Sequence, residues 1–220
     1  MPWLQAQRWR WKRSADPHAH LLEVWLADSN RRTDSVDEAS FLVVDAEMSG
    51  LDPESAELLS LGWVRVSSCE IELASAQHHL IRNRDTVGQS ATVHQLRDCE
   101  LEDADGLLPA MDALQKAASG CVLVFHHAAL DMAFLNKASL RLYGAPLLLR
   151  HVDTLLMEHK LLKRREHAIG KGDLTLAACR DRYGLPHHRG HNALTDAMAT
   201  AELLLAHIVQ RGAGLRLKDL

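Results

Sequence analysis

Hydrophobic and polar positions change rhythm near residue 40, and the two rhythms point to two kinds of structure. From Phe41 onward the pattern is that of alternating strands and helices. Phe41, Leu42, Val43 and Val44 form an unbroken apolar run, as in a strand buried on both faces. Strands are expected over 41–47, 58–66 and 71–81, with Ser67 and Ser68 turning the last two into a hairpin. A helix follows over 103–119, although Gly106 and Pro109 lie near its start. "CVLVFH" (121–126) predicts a buried strand, 128–144 a helix closed by Gly144, and "PLLLRHVDT" (146–154) another strand. The last two helices fall over 173–184 and 193–210, the first capped by Asp173, stopped by Gly184 and followed by Pro186, the second capped by Asn192. A three-stranded antiparallel meander plus two parallel strands makes an α/β fold: a mixed five-stranded sheet flanked by helices.

Residues 1–38 do not share this rhythm. Trp3, Trp9, Trp11 and Trp25 lie here, interleaved with Arg8, Arg10, Lys12 and Arg13. A short helix is expected from Asp16 as cap and Pro17 at its first position, with Leu21, Leu22, Trp25 and Leu26 as its apolar stripe. Such a segment suits either stacking and phosphate contacts with a single strand or docking of that stripe on the domain or a partner. The polar stretch 28–40 reads as a linker. The expected organisation is an N-terminal extension (1–38), a domain (39–211) and a C-terminal tail (212–220).

Composition narrows the function classes. With 47% hydrophobic and 25% charged residues among 220, this is an ordinary globular composition. The formal net charge of −4 excludes a protein that coats nucleic acid through a global basic field, but not one with a local basic rim at "KRRE" (163–166) joined by Arg180, Arg182 and Arg189. Cys69, Cys99, Cys121 and Cys179 are scattered without a C-x-x-C pair, which argues against a disulfide framework or a structural zinc site. No apolar run reaches membrane-spanning length and the N-terminus lacks a signal-peptide core, so a cytoplasmic protein without a membrane partner is expected.

The chemistry begins where the first strand ends. Asp45 and Glu47 stand two residues apart, which places both carboxylates on one strand face, roughly 6.5 Å apart along the chain. At an effective dielectric near 20 such charges repel by about 2.5 kcal/mol. A divalent cation between them turns repulsion into shared attraction, since hard cations take oxygen ligands. Asp131 falls in the first turn of a helix directly after a buried strand, where ligands of open sheets collect. In "HNALTDA", His191 and Asp196 are five residues apart and cannot share a helical face. With Asn192 as cap, His191 lies on the loop before the helix and is placed to take a proton from a water beside a carboxylate-bound metal. The histidine pairs 78–79, 126–127 and 187–188 carry no metal-ligand spacing and read as incidental, and "GKGD" (170–173) lacks the strand and Lys-Ser/Thr context of a phosphate loop.

Together, "VVDAEMSGL", "FHHAALDMAFL" and "HNALTDA" resemble, in order and separation, the three motifs of the DEDDh (DnaQ-like) 3′→5′ exonuclease family, over roughly residues 39–210. The resemblance implies the RNase H-like fold. It implies Asp45, Glu47, Asp131 and Asp196 as ligands of two divalent cations, Mg²⁺ or Mn²⁺, and His191 as general base. It implies substrate contacts near Ser49 and Leu51 and at His94, within "ATVHQLRD". His127 stands where the second motif usually has Asn, and Leu130 where it usually has Phe. Gln95 and Leu96 replace the usual Gly-Ile after the histidine. The expected substrates are 3′ ends of single-stranded DNA or RNA, DNA favoured, with a DNA polymerase as candidate partner. The alternatives are a non-catalytic nucleic-acid- or polymerase-binding module of the same fold and an oligoribonuclease-like enzyme. Because little chain follows the third motif, a standalone or differently tethered enzyme is expected rather than a replicase subunit.

Overall fold

The computed structural model describes residues 35–82, 106–147 and 149–220. The helix expected near Asp16 and the segment holding His94 therefore lie outside the described residues. Strands β1 (Ser40–Met48), β2 (Leu58–Ser67) and β3 (Glu70–Leu80) form the meander. Helix α1 (Leu107–Ala118) leads to β4 (Val122–Phe125), and α2 (Ala128–Tyr143) leads to β5 (His151–Asp153). Helices α3 (Thr154–Arg164), α4 (Leu176–Asp181) and α5 (Ala193–Arg211) follow, then a single 3-10 turn at Leu217–Asp219. The sheet order is β3-β2-β1-β4-β5, antiparallel from β3 to β1, with β4 parallel to both β1 and β5. This is the mixed five-stranded sheet that the hydrophobic rhythm predicts.

The apolar run 41–44 is buried on both faces because β1 is the central strand, and its side chains feed two separate cores. Leu42, Val44 and Ala46 pack with Trp63, Phe125, Met111 and Phe134 under α1 and α2. Phe41 and Val43 point the other way, into a core closed by Ala201, Leu204 and Ile208 of α5. Burying Val43, Val64, Val124 and their neighbours is worth about 1.5–3 kcal/mol per side chain. Val36 and Leu220 also enter this second core, and the Val36 N–H donates to the Leu215 carbonyl at 3.0 Å. The packed fold thus takes in residues on both sides of the 39–211 span.

Three local expectations need correction. The hairpin turn consists of Ser68 and Cys69, both at positive φ (51° and 59°), because Ser67 still pairs with Glu70. The strand expected over 146–154 is only His151–Asp153. Pro146 has no N–H to give a ladder, and the Leu147 N–H donates to the Asn136 side chain at 2.9 Å. Leu147 and Leu149 are apolar because they fill the first core, not because they lie in the sheet. Helix α4 begins at Leu176 under Thr175, whose hydroxyl accepts from Ala178 N–H at 3.3 Å. Asp173 is not its cap, since its carboxylate accepts from Gly170 N–H at 2.7 Å and closes a turn instead. Asn192 does cap α5, accepting from Thr195 N–H at 3.1 Å. Among the described residues no helix is long and apolar enough to cross a membrane.

Candidate active site

Strand alternation carries the series Phe41, Val43, Asp45, Glu47 along the β1 face that meets α5. Helix α5 reaches that face because its neighbour in the sheet has no side chain. Gly62 of β2 is the cross-strand partner of Asp45, and a Cβ on it would lie 2.2 Å from the Leu194 nitrogen. The bare backbone lets the first turn of α5, which carries Asp196, settle directly beside Asp45. Carboxylate oxygens of Asp45, Glu47 and Asp196 then lie within 4.8 Å of one another. A glycine inside a strand signals close approach of another backbone, so Gly62 was readable, but nothing in the sequence said which backbone approaches.

Asp131 comes from the opposite core, in the first turn of α2 above the end of β4. It is 4% exposed and is not one of the three acids that converge most closely. Helix α2 starts from His127 in the left-handed region (φ 84°), a conformation that histidine, like the asparagine usual at this motif position, tolerates better than most residues. The anchor is Asp153. Its carboxylate accepts the His127 N–H at 3.1 Å, the Ala128 N–H at 3.0 Å and the Leu155 N–H at 2.9 Å, so one side chain caps both α2 and α3. Sequence reasoning passed over Asp153; an Asp before an apolar helical run is a recognisable cap for α3, but its second role on α2 is visible only in the fold.

The electrostatics fit a cationic occupant. Burial pushes Asp45 well above the ordinary carboxylate range, and the charges of Asp131, Asp196 and Glu47 push it further the same way. Burial likewise raises Asp131 to about 8, opposed by the backbone amides of Asp131 and Ala46 and aided by the charges of Asp153 and Glu47. No lysine or arginine among the described residues pairs with Asp45, Asp131 or Asp196. Four mutually repelling acids gathered from the end of one strand and two helices make an all-oxygen donor set that suits a hard divalent cation.

The third motif is built differently. His191 lies outside α5 in the left-handed region (φ 69°), as the helix-cap reasoning requires. Its N–H donates to Asp196 Oδ2 at 2.8 Å, and the residue is exposed at the site's rim. A second histidine borders the cluster: His188 Nε2 lies 3.0 Å from Asp196 Oδ1, so one of the paired histidines taken as incidental touches it. The loop bearing both is held by Arg180, which donates to the Ala199 carbonyl at 2.6 Å and the Pro186 carbonyl at 2.8 Å and pairs with Glu202. Arg182 donates to Glu158 at 2.8 Å and to the Asp173 carbonyl at 2.6 Å. Of the two arginines expected on a basic rim, Arg180 is buried, while Arg182 stays exposed with its guanidinium bound to Glu158 and the Asp173 carbonyl.

Ser49 and Leu51 sit on the loop after β1. Ser49 N–H donates to the Glu57 carbonyl at 2.9 Å and Ser49 Oγ accepts from Glu57 N–H at 3.0 Å, which pins the loop's base. Lys137 of α2 tightens it, donating to the Ala56 carbonyl and to Glu57. Leu51 is 79% exposed on this loop, a large apolar side chain left open to solvent.

Comparison with known proteins gives the family. A family model described as Exonuclease (RNase T) matches residues 42–204. The chain is 27% identical over 175 residues to a DNA polymerase III PolC-type of Thermotoga petrophila, covering 79% of this chain but only 12% of that protein. Among solved structures it resembles cell-death related nuclease 4, with TM-score 0.68, 13% identity, and 80% of this chain and 65% of the other covered. It also resembles the nuclease domain of 3′hExo, a DEDDh family member bound to rAMP, with TM-score 0.66, 16% identity, and 83% and 97% covered. With the fold, the order of motifs and the match over residues 42–204 all in agreement, this chain belongs to the exonuclease family, as a DEDDh member of the RNase H-like superfamily.

Proposed function

We propose that the chain is a metal-dependent 3′→5′ exonuclease that hydrolyses phosphodiester bonds at the 3′ end of single-stranded nucleic acid and releases nucleoside 5′-monophosphates. The observation that carries this reading is the convergence of Asp45, Glu47 and Asp196 within 4.8 Å, with Asp131 close enough to raise the pKa of Asp45. Asp45, Glu47, Asp131 and Asp196 would hold two divalent cations, Mg²⁺ or Mn²⁺, which when bound supply charge stabilisation for the attacking and leaving oxygens of an in-line displacement. His191, on the rim beside Asp196, takes the proton from the attacking water. The fixed loop from Ser49 presents its backbone to the terminal nucleotide, and Leu51 packs against the base. His94 is proposed as a further substrate contact. An intact set of four acids favours this over a non-catalytic binding module.

DNA is the favoured substrate, supported by the likeness to a DNA polymerase III, which also supports a polymerase as candidate partner. The likeness to a domain bound to rAMP supports the RNA alternative. Product analysis on 5′-labelled DNA and RNA oligomers with Mg²⁺ or Mn²⁺ tests both. Stepwise shortening from the 3′ end is expected, with DNA the faster substrate. His191→Ala should lose about 10²–10⁴-fold in turnover with cation and oligomer affinity little changed. If His188→Ala shows that loss and His191→Ala does not, the general base is the other imidazole.

A further inference from the structure

Beside the site, Arg180 and Arg182 are committed to partners, but a dense run of cations earlier in the chain is not. Between residues 160 and 171 the sequence carries Lys160, Lys163, Arg164, Arg165 and Lys171 against a single acid, Glu166, in a chain of net charge −4. All five are exposed. Arg180 and Arg182 are spent on backbone carbonyls, Glu202 and Glu158. By contrast, Lys163, Arg164, Arg165 and Lys171 form no side-chain hydrogen bond or ion pair among the described residues. Cations in the last turn of a helix are favoured by its dipole, which accounts for Lys163 and Arg164. It does not account for Arg165 and Lys171, which lie beyond the helix.

Both ends of this segment are fastened at the active site. Helix α3 starts at Asp153, the residue that caps the helix bearing Asp131. The connection returns at Leu174, whose carbonyl lies 2.9 Å from His126 Nε2, while His126 Nδ1 lies 2.9 Å from Thr154 Oγ1. Lys171 is thus three residues from a contact with the end of β4. Lys163 is nine residues along α3 from Thr154, or about 14 Å. The path between is bonded: His167 N–H donates to the Leu162 carbonyl, Gly170 N–H to Asp173, and Arg182 to the Asp173 carbonyl.

We propose that Lys163, Arg164, Arg165 and Lys171 form the surface that holds the phosphates of a single strand upstream of the scissile bond; this rests on the exonuclease reading of the neighbouring acids. The acid cluster repels a polyanion, so the strand needs cations beyond it to be drawn in. At about 3.4 Å per nucleotide, 14 Å spans roughly four nucleotides, fewer if the strand is stretched. Substrates longer than this gain from the surface and dinucleotides do not.

The test uses the full chain with all four residues changed to Gln, and a second variant with Arg164→Lys and Arg165→Lys that keeps the charge. Strands of about 20 nucleotides, DNA and RNA, are titrated in chelator over a salt series, and kcat/KM with Mn²⁺ is compared for those strands and dinucleotides. The four-Gln variant should flatten the slope of log K against log salt by about 3, from about 0.7 per lost contact, and the lysine variant should keep the slope. The ratio of kcat/KM for the long strand over the dinucleotide should fall at least about tenfold. An unchanged slope and ratio at an unchanged melting temperature would overturn the proposal and leave the segment a solvated face. If the wild type hydrolyses neither length, the exonuclease reading fails, while the salt slope still decides the surface.

Discussion

Among the described residues, Glu158 and the acids of the candidate site are both largely withdrawn from solvent, and they are treated in opposite ways. Glu158, fully buried on α3, is surrounded by donors. Arg182 reaches one oxygen at 2.8 Å, the Tyr183 hydroxyl the other at 2.7 Å, and His207 lies 3.2 Å away. The acids of the candidate site crowd one another instead, and the leading charges acting on Asp45 are all negative. A buried charge is tolerated when paired and is otherwise very costly. Glu158 is a finished structural centre that locks α3, α4 and α5 together. In the candidate site repulsion dominates around Asp45, which suits binding of a hard cation.

The comparison breaks most sharply under mutation of one acid from each group. Asp45→Asn should abolish hydrolysis while leaving the chelated protein's melting temperature equal or higher, because it removes repulsion. Glu158→Gln should do the reverse: about 3–5 kcal/mol of stability lost, as for breaking a buried pair, with turnover per folded molecule retained below the melting range. Denaturant melts and single-turnover assays on the two variants check both. If both variants lose stability alike, the distinction between the two groups is wrong.

Gly62→Ala tests how the third motif's acid reaches the first. A Cβ 2.2 Å from the Leu194 nitrogen must push α5 away, so about 10²-fold or more in turnover should be lost, with weaker cation affinity. Overpacking should cost about 1–3 kcal/mol of stability as well. Asp153→Asn keeps the shape but offers an amide donor where a backbone N–H needs an acceptor. It should loosen the start of α2 and raise the cation concentration needed for half-maximal rate, an effect that more cation reverses.

The smallest effect concerns pH and belongs to the finished centre. Burial lowers His207 to about 4, partly offset by the Glu158 charge. For a histidine with a depressed folded pKa, the unfolded chain binds the proton first, so stability is complete above about 6.5 and is lost as pH falls towards 4. His207→Gln should remove part of that acid sensitivity, read as a flatter plot of melting temperature against pH between those values.

The sheet and the four acids were legible because regular structure places them. Period-two alternation fixed which face Asp45 and Glu47 share, and the Asn192 cap fixed His191 outside α5. What escaped was everything that holds the loops. Asp153, Arg180 and His188 act through bonds to backbone or to residues in other elements, and such pairs leave no periodic trace. The strand over-read at 146–154 failed for a related reason, since apolar residues fill a core equally well from a loop. Arg180 was misread as a surface cation because charge in a sequence does not say which way it faces.

The most direct test of the central claim is the melting temperature of the chelated wild-type protein, and of Asp45→Asn, as Mn²⁺ or Mg²⁺ is added, with hydrolysis followed in the same samples. The wild type should rise with cation concentration as binding to the folded state stabilises it, and hydrolysis should appear over the same range. Asp45→Asn should shift far less and remain inactive. A wild-type melting temperature indifferent to cation, with hydrolysis undiminished in excess chelator, would contradict the account.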